Sequence, residues 1–244
     1  MDILQNYVDL IKDYSAQIGL ATLVTVELLV VSSFLGFILA IVVAIGRSSS
    51  KRSIAYRAST AFSSVFQGTP LLVQLFVIYY GFGQFDWMRD SFLWPAFRNA
   101  HFCALLALTL NVAAYMGEHI RAGILSIPDG EKEAAAALGV RQRDIVLKLV
   151  IPRALRVATP ALTNEIIIQL KSTALASTVT VLDLTGFARR LSAQSYTLDP
   201  LIVAGVVYGL MTFSIGLASR TVERYGSRYL QREVRRATTP IKCV

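Results

Sequence analysis

Charge is scarce in this sequence. Asp, Glu, Lys and Arg make up 16% of 244 residues, against 54% hydrophobic side chains. A soluble domain averages about 25% charged residues, so a water-facing surface over the whole chain is excluded, and disorder with it. Mean hydropathy is +0.53, as expected of an integral membrane protein. The net charge of +8 and the pI near 9.7 would suit a nucleic-acid binder. Long charge-free stretches leave no basic surface for one, so no nucleic-acid partner is expected. Cysteine is nearly absent: Cys103 lies in an apolar stretch and Cys243 in a basic tail, which implies no disulfide framework. Histidine is equally rare. His101 and His119 stand apart, without Cys or paired carboxylates at ligand spacing, so neither a zinc site nor a catalytic one is expected. No G-x-x-x-x-G-K-[ST] loop occurs, so ATP is not bound by that device and any energy must come from a partner.

What is present is apolar length. A helix needs about 20 apolar residues to cross roughly 30 Å of hydrocarbon, where the backbone finds hydrogen-bond partners only within itself. Five segments qualify. Ile18 to Ile45 carries one charge, Glu27; Ala61 to Phe82 and Asn99 to Gly117 carry none. Val157 to Leu182 contains Glu165 and Lys171, and Pro200 to Ser219 is again free of charge. The fold class expected is therefore all-α, five transmembrane helices in a single domain over residues 1–244.

The basic residues orient these spans. Arg47 to Arg57, Glu118 to Arg156 and Arg220 to Val244 together hold 18 basic residues, against 5 on the opposite side. The positive-inside rule places the N-terminus outside and the C-terminus in the cytoplasm. Residues 1–17 are acidic rather than basic, unlike the n-region of a signal peptide, so span one is read as a retained anchor. Arg220, Arg224, Arg228 and Arg232 recur at helical spacing, and span five is expected to run on as a basic amphipathic helix against lipid headgroups.

Residues 127–152, IPDGEKEAAAALGVRQRDIVLKLVIP, are too polar for lipid and too ordered in pattern for a linker. Asp129 can cap a first short helix, with Glu131 and Glu133 near the positive end of its dipole and an alanine run behind them. Gly139 supplies the left-handed residue that ends it. A second helix follows, with an Asp144–Lys148 pair at i, i+4, and stops before Pro152. Small alanines on a projecting helix permit close approach of another surface, either the protein's own helices or a partner.

Glu133-Ala134-Ala135, three residues, Gly139, nine residues, then Leu149 to Pro152 resembles the EAA loop of bacterial ABC importer permeases. Phe66-Gln67-Gly68-Thr69-Pro70-Leu71-Leu72-Val73-Gln74-Leu75 is similar to the FRGTPLLVQL segment of the polar amino-acid branch, with Gln67 in place of the usual Arg. Asn164-Glu165 followed by Lys171-Ser172-Thr173-Ala174-Leu175-Ala176 looks most like the M-type permeases of histidine/lysine/arginine/ornithine and octopine or nopaline importers. The three motifs fall in order on the expected spans.

The resemblance implies a type I ABC importer permease in the bacterial inner membrane, not itself an enzyme. It implies two ATP-binding subunits that hold ATP and Mg, a second homologous permease, with a heterodimer expected over a homodimer, and a periplasmic solute-binding protein. No cofactor is expected on this chain. Glu133, Ala134, Ala135 and Gly139 are the positions carried over as the ATPase-coupling helix. The substrate implied is a polar, cationic amino acid or opine.

Two other readings remain open at this stage. A self-sufficient ion-coupled carrier or channel would use intramembrane Glu27, Glu165 and Lys171, although the two halves show no repeat. An intramembrane enzyme would have only Glu165 and His119 as acid–base groups. Glu165 itself has two readings. It either pairs with a polar group on the second permease, or lines the central site beside Asn164 as counter-charge to a cationic substrate. Lys171 lies roughly 240° around the helix and about 9 Å along it from Glu165, too far for direct neutralisation.

Overall fold

The computed structural model describes residues 10–238, with side chains to residue 221, and among the described residues it contains helices and no strand. The first long helix, α1 (Ser15–Arg47), ends where the hydroxyls of Ser48 and Ser49 donate back to the carbonyls of Ala44 and Ile45. One stripe of α1, through Ala21, Thr25, Leu28, Ser32, Gly36, Ala40 and Val43, is buried at the three-to-four-residue spacing of a helix face. It packs on α6 (Ala100–Leu125), the central helix, whose Asn99 side chain caps the backbone N–H groups of His101 and Phe102. Their approach is close: a Cβ on Gly36 would lie 2.3 Å from Val112 Cγ1. Small residues let two helix backbones meet, and packing then replaces the hydrophobic drive that lipid does not supply.

The span expected over Ala61 to Phe82 is broken at Pro70. Helix α2 (Ile54–Gly68) and the segment that starts with α3 (Leu71–Phe76) and runs to Gln84 are bent by 105°. Pro70 lacks an N–H and forces Thr69 into extended geometry, so the helix cannot run through. The carbonyls freed at the break find side chains. Gln74 Nε2 donates to Phe66 O and Thr69 O, each at 2.9 Å, and Asn111 Nδ2 donates to Phe66 O at 3.2 Å and Gln74 Oε1 at 3.1 Å. Both amides are buried, and both donate into the bend. Two short helices, α4 (Asp86–Arg89) and α5 (Trp94–Phe97), lead from there into α6.

Helix α9 (Ile151–Ser172) rises from the loop formed by α7 (Asp129–Ala137) and α8 (Gln142–Asp144), and packs across α6. Gln169 Nε2 ties it to Ser32 Oγ of α1 at 2.9 Å and to Leu108 O of α6 at 3.2 Å. The α-helix does not reach Leu182 as expected; it tightens to 3-10 over Thr173–Val179 and ends at Thr180 in left-handed geometry (φ 67°). The segment after it, expected as an outer connection over residues 183–199, holds helix α10 (Leu184–Ser195). Fully buried Asp183 caps that helix, accepting from Gly186 N and Thr185 N and from the Tyr208 hydroxyl at 3.3 Å. Burial pushes its carboxyl above the ordinary carboxylate value, and these bonds draw it back.

Helix α11 (Asp199–Thr238) continues the fifth expected span without interruption, and the side chains of Arg224, Arg228 and Arg232 lie outside the described residues. Helices α1, α6 and the Asp199–Thr221 part of α11 are long and apolar enough to cross a bilayer, and the bent pair from Ile54 to Gln84 adds a fourth when counted as one broken span. The count of five is not reached by that measure. Arg153, Arg156, Glu165 and Lys171 place four charges on α9, which lowers its hydropathy although protein covers much of its surface.

Candidate coupling loop and translocation site

Helix α7 begins after Pro128, whose fixed φ suits the entry to a helix. Asp129 is not its cap, contrary to expectation. It occupies the first helical position and pairs with Lys132 at 3.0 Å, while Asp129 and Glu131 still place negative charge at the positive end of the dipole. The helix closes at Gly139 (φ 77°): its N–H bonds Ala136 O at 2.9 Å, and Val140 N–H bonds Ala135 O at 3.2 Å. The expected Asp144–Lys148 pair forms at 2.7 Å. The second helix does not stop before Pro152. A widened π-helical stretch, Ile145–Val150, carries it straight into α9, where Pro152 sits in the first turn.

Two contacts fasten α7 to the body. Glu131 forms an ion pair with Arg153 at the base of α9, and Ala135 packs against the buried cluster that includes Ile145 and Ile151. The other side is open. Glu133, Ala134, Ala136, Ala137 and Gly139 are exposed, and Leu138 is 85% exposed at the helix end. Of the four positions expected to couple, Glu133, Ala134 and Gly139 therefore face outward, whereas Ala135 turns partly inward.

Asn164 and Glu165 are not brought to one point. Asn164 is exposed, whereas Glu165 turns into the α6–α9 contact with its side chain 7% exposed. Its partner lies within the same chain: Glu165 Oε2 is 3.3 Å from His119 Nε2. Lys171 is exposed and lies elsewhere, beside Thr185 and Tyr208, as the helical spacing anticipates. At the far end of α6, Glu27 meets His101 at 3.2 Å, so each of the two histidines serves one acidic residue of a span. Near the Arg47 end of α1, Glu118 bonds both Arg47 and Arg121.

His119 carries more weight than the sequence alone assigned to it. Tyr115, His119 and Ala122 follow one another at helical spacing on the face of α6 left uncovered between α2 and α9. Gln67 Nε2 of α2 donates to Ala114 O at 2.8 Å, and the Tyr115 hydroxyl donates to Gln67 O at 3.5 Å. Gln67 and Tyr115 were not read as site residues. Their signal in the sequence was a Tyr one turn before a His, with an unpaired Glu on a later span. Among the described residues no group of three or more His, Cys, Asp or Glu could hold a metal ion.

This assembly, an open Gly-ended helix below and a polar stripe between helices above, belongs to a known class. Residues 32–225 match the family of the binding-protein-dependent transport system inner membrane component. The chain belongs to this family. It is a membrane-spanning permease component of bacterial ABC importers, with no catalytic step of its own, and family members work with ATPase and binding-protein partners. It is similar to the octopine transport system permease protein of Rhizobium radiobacter, 46% identical over 151 residues, 62% of each chain. The arginine ABC transporter permease protein of Haemophilus influenzae is 41% identical over 203 residues, covering 83% of this chain and 88% of the relative. The histidine/lysine/arginine/ornithine permease protein of Salmonella typhimurium is 40% identical over 210 residues, 85% and 88% of the two chains. A crystal structure of an amino acid ABC transporter with histidines superposes with a TM-score of 0.77 at 29% identity, covering 90% of this chain and 98% of the other. A chain of an inward-facing methionine ABC transporter shares the fold at 21% identity, with a TM-score of 0.71, covering 84% of this chain and 94% of the other.

Proposed function

We propose that this permease forms one half of the translocation pathway of an ATP-driven importer for cationic amino acids or arginine-derived opines. The observation that carries the substrate class is the set of relatives, named for octopine, arginine and histidine/lysine/arginine/ornithine transport. The whole chain acts as one domain that contributes five helices, α9 being the span that apolar length alone does not count, shielded by protein rather than apolar on its own. A second, homologous permease completes the pore as a heterodimer. Two ATP-binding subunits carry ATP and Mg, and a periplasmic binding protein delivers the ligand.

Energy enters through α7. Its exposed alanines and Leu138 offer a small-residue surface to the ATPase, and Gly139 sets the angle at which it projects. Glu165 supplies the negative charge of the central site. The N-terminus lies in the periplasm and the C-terminus in the cytoplasm of an inner-membrane protein, supported by the 18 basic residues on the loop side against 5.

The test is reconstitution with the two ATPases, the second permease and the binding protein. ATP hydrolysis should be stimulated by arginine, lysine, histidine, ornithine, octopine or nopaline delivered by the binding protein, and not by neutral amino acids. Solute uptake by the purified chain alone, without ATP, would instead establish a carrier. Reporter fusions check orientation: a periplasm-active reporter that works after Arg52 would reverse it.

A further inference from the structure

We infer that the cleft between α1 and α10 is a phospholipid site, with the lipid phosphate on Arg190 and one acyl chain laid along the apolar part of the cleft. The cleft has a volume of about 490 Å³ and lies beside the first turns of α1, at the end of the bundle remote from α7. Two helix faces form it. Gln17, Leu20, Ala21 and Val24 follow one another on α1, and Phe187, Arg190, Leu191 and Gln194 on α10, each set at the i, i+3, i+4, i+7 spacing of a single face. The two helices are tied where Leu184 N–H donates to Thr25 Oγ1 at 3.0 Å, and the rings of Tyr14 and Phe187 meet across the cleft with centroids 6.2 Å apart.

The first observation is the order of polarity. Along α1 the lining changes from Gln17 to Leu20 and then Val24, over about 10 Å of helix axis, which fits inside half of a ~30 Å hydrocarbon core. Polar side chains therefore stand at the membrane surface and apolar ones below them, the order in which a phospholipid presents its phosphate and its acyl chains. The cleft is also continuous with the lipid-facing side of the protein: Leu20 and Leu182, which line it, are 65% and 52% exposed, and neighbouring Leu23 is 64% exposed. A transmembrane helix seated there would set Arg190 against apolar side chains unless it brought an acid, and a small polar solute would meet mostly hydrocarbon.

The second observation is the unmatched charge. Arg190 is exposed and has no ion pair or hydrogen bond among the described residues, whereas its neighbour Arg189 donates to Ser177 Oγ at 3.4 Å. Guanidinium binds phosphate oxygens through two parallel N–H donors, and the methylene stem of an arginine covers apolar surface while its head stays at the interface. The amides of Gln17 and Gln194, on the same rim, supply further N–H donors for the phosphate and ester oxygens. One amphipathic molecule thus satisfies both halves of the cleft. Bound there, it braces α10 against α1 beyond the Thr25 tie, a role that does not depend on which solute is carried or on which way the chain is oriented.

The test uses the complete permease–ATPase complex, delipidated in detergent and followed by native mass spectrometry during titration. Three probes are compared: dioleoylphosphatidylglycerol, dioleoylglycerol, which has the chains without the phosphate, and glycerol 3-phosphate, which has the phosphate without the chains. One phosphatidylglycerol per copy of this chain should bind at least about tenfold more tightly than either fragment. Arg190→Gln should weaken that binding at least about fivefold, and Arg190→Lys, which keeps the charge, should recover part of the loss. Leu20→Trp narrows the cleft and leaves Arg190 in place, and it should weaken the phospholipid as well. Both positions are exposed, so the complex should assemble in each variant. If Arg190→Gln or Leu20→Trp binds phosphatidylglycerol as the native complex does, or if dioleoylglycerol binds as tightly as the phospholipid, the inference is overturned. Absence of any retained phospholipid in the native complex overturns it too, and leaves the cleft to a neighbouring subunit.

Discussion

Helices α6 and α11 reverse the usual relation between hydropathy and burial. The Asp199–Thr221 part of α11 is the more apolar, with a mean hydropathy of 2.1, yet only 11% of its apolar window is buried within the chain. Helix α6 scores 1.5 and is 56% buried. In water the more apolar helix would be inside. In a bilayer the outer helix must be apolar because lipid tails satisfy nothing polar, while the inner one can carry Asn111, Glu118 and His119, because α2 and α3, α1, and α9 supply their respective partners. The inner helix is therefore where chemistry can be placed, and the outer one where it cannot.

The comparison breaks most readily at the glycines. A Cβ on Gly123 of α6 would lie 2.4 Å from the Ala154 carbonyl oxygen of α9, backbone that cannot step aside cheaply. Gly123→Val should cost at least ~3 kcal/mol, the upper end of overpacking penalties, and abolish purification of a folded chain. On α11, Gly209 has nothing within 4 Å, so Gly209→Val should leave the thermal unfolding midpoint of the isolated permease within a degree or two. Equal losses at both positions would mean that α11 is as closely packed as α6.

Next in size is Gly139→Val, which forces a β-branched residue into φ 77° at a cost of ~1–3 kcal/mol. Because α7 has few ties to the body, membrane insertion should persist while ligand-stimulated ATPase falls several-fold. Unchanged stimulation would show that another surface does the coupling.

A smaller effect is expected at the tie itself. Glu131→Arg sets like charge against Arg153 and should lower stimulated ATPase about two- to fivefold, as expected for loss of a partly exposed pair worth ~1 kcal/mol. Adding Arg153→Glu restores opposite charges, and recovery in the double variant, measured as the ratio of stimulated to basal hydrolysis, separates the pair from general damage.

The smallest change is a gain. Thr180 is β-branched in left-handed geometry, and Thr180→Gly removes that strain while it adds flexibility to the unfolded chain, for a net stabilisation of at most ~1 kcal/mol. A rise of a few degrees or less in unfolding temperature is expected, with transport unaffected.

Much of this was legible in the residues because it depends on local chemistry. The apolar lengths of α1, α6 and α11 follow from the need to shield backbone from lipid, and the end of α7 follows from a glycine that alone accepts its φ. The spacing of Glu165 and Lys171 already ruled out their direct pairing. Three features were not legible, and each depends on what another segment brings. The bend at Thr69–Pro70 is held by Gln74 and by Asn111, the latter from α6, so Pro70 announces a break but not its 105° angle. Pro152 reads as a stop, but the widened turn before it lets the chain continue, because Ile145, Val150 and Ile151 gain burial in the cluster around α6. Glu165 reads as a charge in search of a partner. Only the packing of α9 on α6 decided that the partner is His119 and that the carboxylate lies behind the ring, since a residue 46 positions away becomes a neighbour through tertiary contact alone.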